Sequence, residues 1–286
     1  MTTITTTVPA PTRVGPPPAR VKQLSAFATL SRRRFALSAS TPRELLVPLL
    51  TPILFAVVIA PALAKMVGIG GGLDYKTYVA VGTVGLLVPL SCMFAGLGVI
   101  VDRDSGARRE LLAAPIPRPL LVFGNLSVAL VVSALQLVAL MVSAILRGAS
   151  FHVSTSGIAW FVAAALAFAV FSYGLAETLA NRIPKQEEYI GAVPAFAILP
   201  WFLAGSLFPI KALPAGLAAF AKVLPLTHAL AVMRYALVDP HGTGLHDIWG
   251  MSNPGAMAAL SLIVVIAYAV VVTMVAIRVF NKAAVQ

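Results

Sequence analysis

The chain has 286 residues, of which 59% are hydrophobic and only 11% are charged. An ordinary water-soluble domain carries roughly 25% charged residues and could not bury so much apolar surface, so the composition argues against a soluble fold and indicates an integral membrane protein. The formal net charge of +11 does not predict nucleic-acid binding, because the cations cluster at the ends of apolar runs and no basic stripe alternates with aromatic residues.

The first 40 residues show two patterns. Residues 1–20 are rich in Thr and Pro and lack the apolar core of roughly 7 to 15 residues that a secretory signal peptide contains, so we predict a disordered cytoplasmic tail. Residues 21–40 place apolar side chains at roughly helical spacing beside three consecutive arginines. This predicts a helix along the cytoplasmic interface, with its cations near anionic headgroups; an ordinary basic juxtamembrane tail is the alternative.

Six apolar runs follow, free of Asp, Glu, Lys, Arg and His. Each has about 20 residues or more, which suffices to cross ~30 Å of hydrocarbon at about 1.5 Å per residue. We therefore predict an all-α integral membrane protein with six transmembrane helices. The spans are expected at about residues 45–64, 77–101, 119–146, 153–176, 189–210 and 254–277.

Lysine and arginine predict the orientation of these spans. With the N-terminus in the cytoplasm, 15 of the 21 basic residues fall inside and 6 fall outside. Because cytoplasmic loops carry the excess of Lys and Arg, we expect both termini in the cytoplasm and the chain in the cell (plasma) membrane.

Residues 212–238 form a further apolar stretch that resembles a seventh span. Lys222 and Arg234 would each cost about 2.5 to 3.5 kcal/mol near a bilayer centre, and Pro225 interrupts the helix between them. We therefore predict two short helices that lie on the outer leaflet or dip into it.

The connection between the second and third spans has the pattern of a short helix. Asp104 or Ser105 can cap a helix start, residues 108–113 can form one or two turns, and Pro115 ends them. We expect a stiff helix at the cytoplasmic surface whose two leucines are available to a partner groove, since a packed element of this kind can transmit force from a soluble motor. A solvated basic loop that only fixes the topology fits the spacing equally well.

This connection resembles a segment of the type-2 permease family of ATP-binding-cassette (ABC) exporters. The shared pattern is an acidic residue, Arg, an acidic residue, a spacer and Gly at residues 102–106, then a Leu-containing helix and a Pro. Two more segments resemble the family in the same order: residues 199–210, which begin Leu-Pro-Trp-Phe-Leu, and a Pro-Leu-Thr-His segment at 225–228 with Arg234 after it. The resemblance covers about residues 20–280.

The resemblance implies a permease domain over residues 21–286 that exports a hydrophobic drug, antibiotic or lipid-like substrate from the cytoplasm; export of a lipid-linked glycan is the alternative. It also implies a cytoplasmic ABC ATPase as partner and a second permease chain, as a homodimer or heterodimer, in contact with membrane lipid. The expected ATPase-coupling residues are Asp102, Arg103, Asp104, Gly106, Arg108, Arg109, Glu110, Leu111, Leu112 and Pro115.

The resemblance places the substrate route along the second and fifth spans. The residues expected there are Phe94, Pro194, Phe196, Pro200, Trp201, Phe202, Ser206 and Phe208. The two prolines of the fifth span free backbone carbonyls that neighbours or water must satisfy, and the aromatic residues suit a lipophilic substrate. Packing or contact with lipid is the alternative for each aromatic residue.

ATP hydrolysis is not expected in this chain, because the phosphate-loop pattern G-x-x-x-x-G-K-[ST] is absent. We therefore predict a transport subunit that is not an enzyme and binds no cofactor, with ATP and Mg held by the partner ATPase.

An ion-coupled secondary transporter is the rival reading, and it would usually show ionisable residues inside the spans and an internal repeat. Glu177 ends the fourth predicted span, but we expect it near the aqueous end, paired with Arg182. An intramembrane enzyme or a metal site would need a cluster of suitable side chains. The four histidines fall on the predicted outer side, at spacings that fit neither, and they are His152, His228, His241 and His246.

Overall fold

A computed structural model describes residues 23–40, 75–114 and 116–283, together with positions 54, 57, 58 and 62. The predicted tail 1–20, nearly all of the first predicted span 45–64 and Pro115 lie outside the described residues. Every regular element in the described part is helical. The helices are α1 (Gln23–Ser40), α2 (Tyr75–Asp104), α3 (Ala107–Ala113), α4 (Pro119–Leu146), α5 (Thr155–Arg182), α6 (Gln186–Val193), α7 (Leu199–Leu203), α8 (Ala215–Ala221), α9 (Pro225–Leu237), α10 (Thr243–Trp249) and α11 (Pro254–Ala283), with a π-helical turn at Pro194–Ile198 and a 3₁₀ turn at Ile210–Ala212.

Four of the predicted spans are confirmed as long apolar helices. Helices α2, α4, α5 and α11 have 28 to 30 residues each and are long and apolar enough to cross a membrane. In hydrocarbon every backbone N–H and C=O must be satisfied within the segment, which a helix does. Three of these helices run a few residues beyond the charge-free runs, because a helix can continue past the hydrocarbon into the polar interface.

The fifth predicted span is a broken helical segment. Helix α6, the π-helical turn and α7 follow one another without a gap from residue 186 to 203, about 27 Å at 1.5 Å per residue. Two hydrogen bonds pair this segment with α2 in the antiparallel direction: Tyr189 Oη donates to the Met93 carbonyl at 2.8 Å, and Trp201 Nε1 donates to the Gly82 carbonyl at 2.9 Å. The two donors are 12 residues apart on the broken segment, and the two acceptors are 11 residues apart on α2. The segment and α2 therefore run side by side with nearly equal rise per residue despite the π-helical turn.

Helices α8 and α9 form a sharply bent pair, with an angle of 79° between them. Of the 13 residues of α9, 12 are buried, so α9 lies inside the bundle, and a position on a leaflet surface is wrong for this helix. Near the bend, the Val223 carbonyl accepts a hydrogen bond from Tyr268 Oη at 3.2 Å. Tyr268 lies 14 residues into α11, which is about 21 Å along its axis.

The bent pair begins and ends at one face of the bundle. The 3₁₀ turn before α8 and helix α10 after α9 are joined by an ion pair, in which Lys211 Nζ lies 3.8 Å from Asp247 Oδ1. The pair therefore returns to the face it left, as the sequence predicts for a segment that is not a seventh span. The total of six spans stays a prediction, because the first one lies outside the described residues.

The two ends of the bundle differ in charge. One end, called here the cation-rich end, holds α1, α3 and the C-terminal ends of α2, α5 and α11, and it carries 11 of the Lys and Arg residues between positions 23 and 283. Of the other five described basic residues, Lys76, Arg147, Lys211 and Arg234 lie toward the opposite end, and Lys222 lies at the bend between α8 and α9.

Candidate functional site

Helix α3 begins at a glycine turn at the cation-rich end. Gly106 has φ 80°, and a Cβ at this position would meet no atom within 4 Å, so glycine is needed for the left-handed backbone and not for space. No side chain caps the start of α3. The prediction that Asp104 or Ser105 caps the helix is therefore wrong.

One face of α3 packs against the bundle. The Arg108 guanidinium lies 4.7 Å from the centroid of the Phe280 ring, and Nη2 donates a long hydrogen bond of 3.5 Å to the Phe280 carbonyl. Leu111 and Leu112 are half-buried against the hydrophobic core. These three residues are spaced i, i+3 and i+4, so they share one helix face.

Leu111 and Leu112 are only half-buried on this inner face, so their availability to a partner stays a prediction. The exposed face of α3 carries Arg109, Glu110 and Ala113 instead. Burial lowers the pKa of the Arg108 guanidinium, and the nearby carboxylate of Glu177 opposes this shift. A partner protein at this end would meet one exposed cation and one exposed anion on α3.

The Asp-Arg-Asp sequence at the end of α2 ties neighbouring helices to the base of α3. Asp102 accepts a hydrogen bond from Arg34 Nη1 of α1 at 3.0 Å. Arg103 donates to three carbonyls around the end of α5, those of Ala180 at 3.1 Å, Ile183 at 3.3 Å and Pro184 at 2.6 Å. The last carbonyls of a helix lack partners within it and carry partial negative charge, so an arginine is well suited to them.

Sequence reasoning grouped Arg103 with the partner-facing residues and missed its contact with the end of α5. An arginine next to a helix end is a weak signal in sequence, because the helix that it caps lies 77 to 81 positions away.

Glu177 lies deeper than predicted. It is 0% exposed, and its carboxylate accepts hydrogen bonds from Tyr173 Oη at 2.6 Å and from Asn181 Nδ2 at 2.9 Å. Arg182 is exposed and forms no ion pair with Glu177 among the described residues. The expected pairing of Glu177 with Arg182 is wrong, because the neighbours one helical turn to each side satisfy the carboxylate first.

The predicted substrate residues divide into exposed and buried ones. Phe94, Phe196, Phe202 and Phe208 are between 38% and 54% exposed, and they lie on α2 and on the broken segment that pairs with it or just after that segment. Pro194 is exposed and Pro200 is half-buried. Trp201 is only 5% exposed and Ser206 is 0% exposed, so both are buried in this structure, and their place on the substrate route stays a prediction.

Two residues of the predicted outer side are buried instead. His228 Nε2 lies 2.9 Å from the Lys222 carbonyl, and Nδ1 lies 3.2 Å from Ser261 Oγ. Arg234 donates from Nη1 to the Gly205 carbonyl and from Nη2 to the Ser206 carbonyl, each at 2.8 Å.

Arg234 also stacks on α2. Its guanidinium carbon lies 3.5 Å from the centroid of the Tyr78 ring, and Tyr78 Oη donates to the Gly205 carbonyl at 3.0 Å. A Cβ at Gly82 would collide with the Ser206 carbonyl, so glycine lets α2 approach this cluster. The arginine that follows the Pro-Leu-Thr-His segment therefore joins α9, α2 and the end of the broken segment.

Comparison with known proteins identifies the family. A family model described as "ABC-2 type transporter" matches residues 25–238, a range that contains α3, the broken segment and α9. The chain is also similar to Nodulation protein J of Sinorhizobium fredii, with 26% identity over 186 residues, which is 64% of this chain and 70% of that protein.

Proposed function

This chain belongs to the ABC-2 type transporter family, and from that premise we propose that it is the transmembrane permease subunit of an ATP-driven exporter. It works with a separate cytoplasmic ATPase that binds ATP and Mg. The chain supplies the multi-pass bundle through which the substrate moves.

The observation that carries this proposal is the way α3 is attached to the bundle. Its inner face is packed on α11 through Arg108, and its base is tied to α1 and α5 through Asp102 and Arg103. A short helix fixed at both its face and its base moves with the bundle as a rigid body, so a push on its exposed face reaches the long helices. We propose that Arg109 and Glu110 on that face contact the ATPase.

The charge of the two ends supports the proposed orientation. The cation-rich end faces the cytoplasm under the positive-inside rule, which puts α3 on the side where ATP is available. Both termini are then cytoplasmic, and the chain lies in the cell membrane.

The proposed substrate is hydrophobic: a drug, an antibiotic or a lipid-like molecule. Support comes from the four exposed phenylalanines, which lie on α2, on the broken segment and just after it, because exposed aromatic side chains can bind lipophilic ligands. A second permease chain that covers this surface would enclose a route between the two copies.

The proposal is tested by reconstituting the chain in liposomes with the ATPase encoded by a neighbouring gene. We expect the pair to export a lipophilic substrate only when ATP is supplied, and we expect Glu110→Lys to reduce stimulation of the ATPase at least about tenfold, the effect of losing roughly 1.4 kcal/mol of binding. Glu187→Lys is the matched control, because Glu187 is exposed at the same end but lies on α6.

Equal effects of the two substitutions would remove α3 from the contact. Transport that persists without ATP under a proton gradient would favour the ion-coupled rival instead. The buried Glu177 bears on that rival, and its two hydrogen-bond partners account for it as a structural residue.

A further inference from the structure

A cavity at the cation-rich end brings three arginines together. Arg33 and Arg34 of α1 and Arg108 of α3 line it, together with Asp102 of α2. The remaining wall is largely apolar and includes Leu111 and the Phe280 ring. The cavity therefore joins a cationic side to an apolar side.

The carboxylate in the cavity does not balance these cations. Asp102 pairs closely with Arg34, at 3.0 Å, whereas Arg33 Nη2 is 4.0 Å from the other carboxylate oxygen. Arg108 forms no ion pair with any residue that the structure describes, although Arg108 is only 9% exposed. The wall thus holds three guanidinium groups and one carboxylate, and the Glu177 carboxylate outside the wall interacts electrostatically with Arg108.

Arg108 also has an unused hydrogen-bond donor. Its Nε atom is buried and makes no hydrogen bond, and its one bond, to the Phe280 carbonyl, is long at 3.5 Å. A buried donor without an acceptor is unfavourable, and a guanidinium presents a planar fork of donors that matches the oxygens of a phosphate. The unused donor therefore points to an anionic group with several acceptor oxygens.

We propose that this cavity binds a phosphate group, supplied by the headgroup of an anionic membrane lipid and held by Arg33 and Arg108. The apolar wall favours an amphiphilic molecule over a free ion, since acyl chains or glycerol carbons can cover Leu111 and Phe280. Because the two arginines lie on α1 and α3, the bound phosphate joins the N-terminal helix to the helix that we assign to ATPase contact. This site does not depend on the proposed transport function.

The test uses the full chain in neutral detergent micelles. Phosphatidylglycerol, phosphate-free diacylglycerol and inorganic phosphate are added separately, and the midpoint of thermal unfolding and the bound lipid in native mass spectra are measured. We expect phosphatidylglycerol to bind and to raise the midpoint, and diacylglycerol to have little effect. Arg33→Gln and Arg108→Gln should each weaken phosphatidylglycerol binding by about 10- to 100-fold, the effect of losing a hydrogen bond to a charged group.

The matched controls are Arg32→Gln and Arg109→Gln, which remove exposed cations beside the two site residues. Weakening that is the same in the controls and the site variants would overturn the proposal, as would binding that no variant changes. If inorganic phosphate alone raises the midpoint, and Arg33→Gln removes that effect, the phosphate site is confirmed with a free ion as its ligand. Should Arg108→Gln not fold, the comparison of Arg33→Gln with Arg32→Gln decides the question by itself.

Discussion

Replacing Arg234 with glutamine should destabilise the end of the bundle opposite to α3. The guanidinium donates two hydrogen bonds of 2.8 Å to backbone carbonyls, and hydrogen bonds to a charged group are worth about 1.5 to 3 kcal/mol each. The stacking on Tyr78 at 3.5 Å adds up to about 2 kcal/mol at a desolvated site.

Part of this loss is recovered. A buried guanidinium costs several kcal/mol to desolvate, glutamine can keep one of the two hydrogen bonds, and the Gly205 carbonyl retains the bond from Tyr78. The free energy of unfolding should therefore fall by about 2 to 4 kcal/mol. Arg234→Lys keeps the charge but not the fork of donors, so we expect a loss of roughly half that size.

Reversible unfolding by sodium dodecyl sulfate in mixed micelles measures these changes. Lys211→Gln is the matched control at the same end, because its ion pair with Asp247 is long and the Lys211 side chain is 68% exposed, so about 0.5 kcal/mol or less should be lost. If Arg234→Gln unfolds within about 0.5 kcal/mol of the unaltered chain, the cluster around Arg234 contributes no net stability and the reasoning is refuted.

Three further predictions concern other contacts. Glu177→Leu should lower the free energy of unfolding by about 2 to 4 kcal/mol, because it leaves a buried tyrosine hydroxyl and an asparagine amide without their acceptor, whereas Glu177→Gln should cost less than half as much; equal losses would contradict this. Gly106→Ala should cost about 1 to 2 kcal/mol of local stability in α3, since φ is 80° there, and it should lower ATPase stimulation, while Gly191→Ala, at a helical position with open space, should have no such effect. Trp201→Phe removes the indole donor to the Gly82 carbonyl and should cost about 1 to 2 kcal/mol in the same unfolding assay; an unchanged midpoint would show that this bond adds no stability.

The long helices were predictable from sequence because their signal is local. Charge-free length alone identifies α2, α4, α5 and α11, since lipid imposes the same requirement on every residue of a span. The broken segment was harder to define, because two prolines and a π-helical turn interrupt it. Its pairing with α2 through Tyr189 and Trp201 is a long-range contact, which the local spacing of apolar residues does not predict.

Which face of α3 packs against the bundle was not predictable for a similar reason. A helix of seven residues makes two turns, and arginines occur on both of its faces, so spacing does not say which face packs inward. The contact that decides this, between Arg108 and Phe280, joins residues 172 positions apart. Arg234 was likewise read as an obstacle to a span and as part of a family-like motif, and its structural role was missed because its two carbonyl partners cannot be recognised from sequence.

The bent pair α8 and α9 also determines how reporter-fusion experiments on the topology of this protein must be interpreted. A hairpin that re-emerges where it entered leaves the parity of crossings unchanged, so a count of hydrophobic segments that includes it would put the C-terminal reporter in the wrong compartment. Reporter fusions placed on either side of the hairpin, before Lys211 and after Asp239, should report the same side of the membrane. A fusion beyond α11 should report the opposite side.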